Sequence, residues 1–393
     1  MQDVVIVSGV RTAIGTFQGA LKDKPPTELG AAVAAAAIER AGIAPDQVGH
    51  VVFGNVIHTE PRDMYLARVA AMDAGIPKET PALTLNRLCG SGLQAVVSAA
   101  QIVMLGDADV AVAGGAESMS RSPHATQAMR SGVKMGELSF HDMMLGALND
   151  PFGAGHMGIT AENVAGQLRI SREEQDVFAA RSQTRAAAAI AEGRFTSQIL
   201  PLQVRKGREM AAFDTDEHPK AGVTAESLAA LRGAFRKDGT VTAGNSSGIN
   251  DGAAALVLMS AERAARENRP IMARISGYAH AGVEPSLMGL GPIPAVRKLL
   301  EKLGLEASDF DVIESNEAFA AQACAVSREL GLDPARTNPN GGAIALGHPV
   351  GASGAIILVK ALHELRRIGG RRALCTMCIG GGQGIALAVE AVG

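Results

Sequence analysis

Three short segments carry most of the reactive side chains in this sequence. The first is Asn86-Arg87-Leu88-Cys89-Gly90-Ser91-Gly92, set directly before an apolar run, residues 93–105, that reads as a helix. A cysteine at a helix N-terminus feels the positive end of the helix dipole, which favours the nucleophilic thiolate. The glycines leave room for a substrate to reach the sulfur and nearby backbone N–H groups. A free cysteine also commonly fills a core as a small apolar residue, and spacing leaves both readings open. The second segment is Gly347-His348-Pro349-Val350-Gly351-Ala352-Ser353-Gly354, again just before a helix. A histidine fixed between Gly and Pro could serve as a base towards a cysteine or as a donor to a carbonyl oxygen. Taken alone it reads better as a surface-turn residue; a histidine and a cysteine at matching helix starts of two facing halves would be brought together. The third is Cys375-Thr376-Met377-Cys378-Ile379-Gly380-Gly381-Gly382. Its Cys-x-x-Cys spacing invites a redox or zinc reading, yet the pair closes a strand and no second pair completes four zinc ligands. The glycine run lacks the spacing of a phosphate-binding loop. A single catalytic cysteine at a strand end, beside N–H groups bared by glycine, fits better. A fourth stretch, Glu314-Ser315-Asn316-Glu317-Ala318-Phe319-Ala320, lies between a strand and an Ala-rich helix and reads by default as an N-cap.

These segments need a scaffold, and the sequence describes one. Residues 4–7, 51–53, 110–113, 254–259, 312–314, 373–377 and 384–389 read as buried strands. Residues 27–41, 91–105, 173–192, 293–303, 318–330 and 354–368 read as helices. The alternation predicts an α/β fold with sheets covered on both faces. A weak internal repeat aligns Gly90-Ser91-Gly92-Leu93 with Ala352-Ser353-Gly354-Ala355, each followed by a helix and a strand. We read it as two related halves facing each other. Between them, from about Met119 to Ala243, composition shifts to Met, Gly and clustered charge. A structureless loop that long is improbable, so an inserted sub-domain is expected.

The bulk numbers narrow the options. With 47% hydrophobic and 20% charged residues, 393 residues can bury a large core, and disorder is excluded. Only 3% are aromatic and 46 are Gly, so that core must be built from Ala, Val, Leu and Ile with closely approaching backbones. A net charge of −3 gives no nucleic-acid footprint. No signal peptide and no apolar stretch of membrane-spanning length is read, and four cysteines suit a reducing cytoplasm better than a disulfide framework.

The segments around Cys89, Asn316, His348 and Cys378, with Asn338-Pro339-Asn340-Gly341-Gly342 and Thr242–Gly252, together resemble the signature segments of the thiolase family, in order along the whole chain. The resemblance implies two βαβαβαββ halves in five α-β-α-β-α layers. Residues 1–118 and 244–270 would form the first half, 119–243 an inserted loop domain for coenzyme A binding and tetramer contacts, and 271–393 the second half. It implies a reversible Claisen condensation of acyl-CoA thioesters. Cys89 would carry the acyl group. His348 would activate Cys89 and polarise a thioester oxygen. Cys378 would move the α-proton, Asn316 would hold a water, and the N–H groups of Cys89 and Gly380 would form an oxyanion hole. Coenzyme A would lie along Leu148, His156, Met157, Ser227, Phe235, Ala243, Ser247, Met288 and Phe319, with Lys220 where the family commonly has Arg, a charge without a planar fork. No cofactor and no metal are implied. Met288-Gly289-Leu290-Gly291-Pro292 is similar to the short-chain biosynthetic branch, and His58–Tyr65 to bacterial β-ketothiolases that feed polyhydroxyalkanoate synthesis. The expected substrates are acetyl-CoA and short acyl-CoA, in a homotetramer. The alternative is a degradative 3-ketoacyl-CoA thiolase of broad chain length. A non-catalytic member of the fold would lack one of the three reactive residues, and a ketoacyl synthase would pair its cysteine with two histidines.

Overall fold

The computed structural model describes residues 2–392. Its first half is built from β1 (Val4–Thr12), β2 (His50–Gly54), β3 (Ala82–Leu85), β4 (Val110–Ser118) and β5 (Asn250–Ser260), with α1 (Pro26–Ala41), α2 (Leu66–Asp73) and α3 (Ser91–Leu105). The strands lie in the order β3-β2-β4-β5-β1; β3, β2 and β4 are parallel, and β5 and β1 join antiparallel. Before β5 the chain passes through α4 (Met157–Leu168) and α5 (Arg172–Ala191). The second half comprises β6 (Ala273–Gly282), α6 (Pro292–Leu303), β7 (Val312–Ser315), α7 (Ala320–Leu330), α8 (Ser353–Ile368), β8 (Arg372–Ile379) and β9 (Gln383–Glu390). Its order is β7-β8-β9-β6, and a parallel bridge from Ile313 to Thr337 stands where the first half has β3. β7 and β8 are parallel, while β9 and β6 join antiparallel. The two halves therefore repeat one pairing scheme, as the weak sequence repeat predicts. A short β1–β6 pairing, Val5 with Arg274 and Ile6 with Ala273, links the sheets.

Helices α3 and α8 pack on each other between the sheets. α1 and α2 cover the first sheet, and α6, with α7 beside it, covers the second, giving α-β-α-β-α layers. The contact between α3 and α8 is the closest in the central layer. A Cβ on Gly92 would lie 2.6 Å from the Ala355 nitrogen, and one on Gly354 would lie 2.3 Å from the Leu93 nitrogen. Glycine is required at both places because each backbone occupies the space where the other's side chain would be. The first turns of the two helices thus meet. An 18-residue window, Leu88–Leu105, has the length and apolarity of a membrane span; burial of α3 between two sheets accounts for that composition.

The segment between β4 and β5 folds as elements rather than as one loop, with α4, α5 and a hairpin of Leu202–Lys206 with Glu209–Phe213. It is tied to β1 by Arg11, whose buried guanidinium donates to both oxygens of Asp216, at 2.7 and 2.9 Å. Besides that hairpin, the strands β3 and β6 and the helices α2 and α4 go beyond the sequence expectation. In β6, buried and half-buried residues alternate, so it shows no continuous apolar run. α4 carries two glycines, and β3 and α2 are short.

Gly354→Ala should cost about 1–3 kcal/mol through overpacking, seen as a lower Tm and denaturant midpoint. Gly166→Ala, in α4 with open space around it, should be neutral or stabilising by up to about 1 kcal/mol. Equal effects of the two would contradict the close helix contact.

Candidate active site

The loop that presents Cys89 is held in an unusual shape. Leu88 adopts φ +45, a left-handed conformation that costs a non-glycine residue about 1–3 kcal/mol. Short bonds hold it there. Asn86 Oδ1 accepts from the Leu88 N–H at 2.8 Å. Ser91 Oγ accepts from the Arg87 N–H at 2.8 Å and donates to the Leu88 carbonyl at 2.6 Å. Gly90 is the cap of α3, so Cys89 stands one residue outside the helix. Cys89 is half-buried as a residue, and the Gly380 N–H lies near enough to its sulfur to favour the thiolate.

His348 is buried. Its backbone N–H donates to Asn250 Oδ1 at 2.8 Å, and Asn250 Nδ2 donates in turn to the Gly15 carbonyl at 2.9 Å. The ring Nδ1 is 2.6 Å from Ser353 Oγ, and that hydroxyl donates to the Pro349 carbonyl at 2.9 Å. With its one hydrogen committed to Pro349, the serine accepts at the ring, so His348 carries its proton on Nδ1. The Nε2 edge is left 3.5 Å from Asn316 Nδ2. Cys378 lies buried near the end of β8, close enough to Cys89 to feel a charge on its sulfur. Cys375, three residues earlier on the strand, directs its thiol to the Ile357 carbonyl and belongs to the core. The Cys-x-x-Cys pair is therefore not a functional pair; in a strand, residues three apart point to opposite faces.

The stretch expected to be an N-cap does something else. α7 begins at Ala320 with no side-chain cap. Glu314 instead accepts from buried Lys360 at 2.7 Å, and Glu317 accepts from Ser182 and Asn338 at 2.6 and 2.8 Å. These bonds brace the loop that carries Asn316. The Asn316 Oδ1 is buried without a hydrogen-bond partner in the protein.

Burial sets the charge states. The Cys89 thiol is pushed up from its ordinary 9 to about 11 by desolvation, against the pull of the Gly380 N–H. The Cys378 thiol is pushed up further for the same reason, and the Cys89 charge adds to it. His348 is pushed down to about 4 by burial. The expected thiolate at Cys89 is thus corrected. A rise from 9 to 11 is worth about 3 kcal/mol, more than the roughly 0.3–1 kcal/mol of a helix end. All three groups rest neutral.

Cys89, His348, Cys378 and Gly380 meet at one mostly apolar cavity of about 360 Å³. Its walls include Leu148, His156, Met157, Phe235, Ala243, Ser247, Met288 and Phe319. His156 stacks on Phe235 at 4.8 Å, and Phe235 meets Phe319 edge-on at 6.0 Å. The Ser247 N–H donates to the Ala318 carbonyl at 3.0 Å, joining a wall from each half. Lys220 and Ser227 do not line this cavity; both are exposed, and Ser227 sits in the first turn of a short helix capped by Thr224. Leu88, Ile249 and Val350 line it without having been singled out, although all three stand inside the segments that were. Ser353 and Asn250 likewise stood inside quoted motifs, and only the bonds to His348 reveal their part. A larger open groove of about 1000 Å³, beside Arg40, His363 and Arg366, includes none of the three reactive residues. No cluster of metal-ligating side chains occurs among the described residues.

A two-thiol, one-imidazole cavity at the junction of two facing α/β halves defines a cysteine-dependent acyltransferase. The chain belongs to the thiolase family: residues 4–262 match the thiolase N-terminal domain and residues 269–391 the thiolase C-terminal domain. It is 60% identical over 393 residues to beta-ketothiolase BktB of Cupriavidus necator, covering 100% of both chains. The fold superposes with a TM-score of 0.97 on the acetyl-CoA acetyltransferase of Bacillus anthracis, at 47% identity over 100% of this chain and 99% of that one. It superposes equally, at 0.97, on human mitochondrial 3-ketoacyl-CoA thiolase, at 44% identity over 100% and 99%.

At neutral pH the nitrogen NMR signals of His348 should show Nδ1 protonated and Nε2 bare. Ser353→Ala should shift that balance towards Nε2–H; a bare Nδ1 in the unaltered protein would contradict the assignment.

Proposed function

We propose that this chain catalyses the reversible Claisen condensation of two acetyl-CoA, or of acetyl-CoA with a short acyl-CoA, to a 3-ketoacyl-CoA and coenzyme A. The observation that carries this reading is the convergence of Cys89, His348 and Cys378 on one cavity, with the Gly380 N–H directed at the Cys89 sulfur. His348 Nε2 takes the Cys89 proton as the sulfur attacks the thioester carbon. The N–H groups of Cys89 and Gly380 hold the oxyanion, and coenzyme A leaves with the Cys378 proton. This yields an acyl-Cys89, a Cys378 thiolate and a protonated His348. The thiolate, made strongly basic by burial, then removes the α-proton of a second acetyl-CoA. The enolate oxygen is received by His348 Nε2–H and by a water on Asn316, whose carbonyl oxygen has no protein partner. Attack on acyl-Cys89 forms the carbon–carbon bond, and Cys89 recovers its proton from His348. Every proton is returned, and the thioester supplies the driving force without a metal or a resident cofactor.

The pantetheine arm and adenine suit the apolar walls at Leu148, Met157, Phe235, Ala243, Ser247 and Phe319, with His156 stacked beside them. Lys220 and Ser227 lie outward, where the nucleotide end would emerge. Met288 and Met157, both buried, limit the space available to the acyl chain, which favours short substrates over a broad-chain degradative role. Exposed Met129, Met135 and Phe140 in the inserted segment supply an apolar face for a homotetramer. The reading places the enzyme in the bacterial cytoplasm, with polyhydroxyalkanoate synthesis as one outlet for its product.

Cys89→Ala should abolish labelling by radioactive acetyl-CoA. Cys378→Ala should still label Cys89, more slowly because the leaving coenzyme A lacks its proton donor, yet fail to exchange acetyl α-protons with solvent; exchange at the normal rate removes Cys378 as the base. A kcat/KM series over 3-ketoacyl-CoA chain length in the thiolysis direction should fall beyond short chains, whereas a flat profile favours the degradative alternative. The acid limb of the acylation rate is set by His348. A base must be neutral, so activity is present above its ionisation and lost as pH falls through it. With His348 held at about 4, the rate should stay flat where an ordinary histidine near 6.5 would already have failed. A limb near 6.5 contradicts this.

A further inference from the structure

Glu117 is fully buried at the end of β4, in a strand otherwise made of small and apolar residues. Its Oε2 accepts from the N–H groups of Val56 at 3.0 Å and Gly351 at 2.9 Å. Its Oε1 accepts from the Ile57 N–H and from Asn55 Nδ2, both at 3.1 Å. Burial pushes the Glu117 carboxyl up to about 8 even against the pull of these N–H groups, yet each oxygen faces two donors, which is the arrangement a carboxylate accepts best. The Asp63 charge adds to the rise at Glu117, and Glu117 in turn raises the Cys89 thiol. The donors come from different parts of the chain: Asn55–Ile57 follow β2 in the first half, and Gly351 closes the turn that begins at His348.

That turn sits where it does because the carboxylate receives it. A Cβ on Gly351 would lie 2.5 Å from Glu117 Oε2. The Gly351 carbonyl lies 2.2 Å from where a Cβ on Gly115 would stand and 3.1 Å from one on Gly92, in the first turn of the Cys89 helix. The His348 turn is therefore pressed onto β4 and against α3, with the Gly351–Glu117 hydrogen bond at its centre. The catalytic scheme above does not use this group.

We propose that Glu117 is a positioning residue, which sets the distance and angle of His348 to Cys89 by anchoring the Gly351 N–H. The inference rests on the reading of Cys89 and His348 as the acylation pair. Glu117→Gln keeps size but replaces one oxygen by an NH2 group facing two N–H donors, so the turn must shift. Gly351→Ala forces the same shift from the opposite side without touching the charge.

The test measures kcat and KM for acetyl-CoA, with kcat expressed per acylatable Cys89 counted by labelled acetyl-CoA. Misplacement of a reacting group by an ångström can cost about 100-fold. Both variants should lose about 10- to 100-fold in kcat per acylatable site and slow acylation in parallel, with KM unchanged. A purely structural role would lower Tm and yield while kcat per site stayed at the normal value, and that result overturns the proposal. Failure of both variants to fold also overturns it, since the residue would then serve folding alone. Absence of label on Cys89 in the unaltered protein would instead sink the functional reading on which the proposal stands.

Discussion

The site depends on the contact of two helix starts. Gly92 and Gly354 let α3 and α8 approach until the backbone of each fills the other's side-chain space. Cys89 lies just before α3 and His348 just before α8. A side chain at either glycine would separate both residues at once. The duplicated halves matter for the same reason. One pairing scheme repeated on two sheets presents the two helix starts to each other, so the reactive pair arises from the fold's symmetry rather than from any local motif.

The second constraint is electrostatic. A cavity dry enough to hold an enolate must also refuse charge to its own residues at rest. Burial raises both thiols and lowers the imidazole. The result is three groups that rest neutral and, in the proposed reaction, ionise by passing protons among themselves. Desolvation that opposes Cys89 as a free thiolate also makes a transiently formed Cys378 thiolate a stronger base, which abstraction of an α-proton requires. Polar bonds compensate nearby: Asn250 and Ser353 fix His348, and Glu314 and Glu317 brace the Asn316 loop.

Much of this was legible in the sequence, because the reactive residues sit in short segments whose glycines and prolines constrain the backbone. The strands with continuous apolar runs were readable, while β6 was not, since one of its faces is only half-buried. The ionisation of Cys89 was misjudged for a definite reason. Helix polarity can be read from local order, but desolvation depends on what the fold packs around the sulfur, and the Glu117 charge that adds to it comes from another element. The N-cap reading of residues 314–320 failed for a related reason: Lys360, Ser182 and Asn338 claim those carboxylates from other elements. Long-range polar partners leave no local spacing to detect.

A cysteine at position 378, where another condensing chemistry would use an imidazole, fits the surrounding architecture. An imidazole there would need a second polar bond to hold its ring, as Ser353 holds His348. Cys378 shares an apolar cluster with Met157, Met288, Ala318 and Phe319, which offer no such side-chain partner. A thiol needs none, because it is small, weakly hydrogen-bonding and at home in an apolar wall. In the proposed reaction, the wall that shapes the acyl pocket thereby selects the acid–base group. Lining and proton transfer are one design problem here, solved by a residue that is apolar while protonated and strongly basic once it is not.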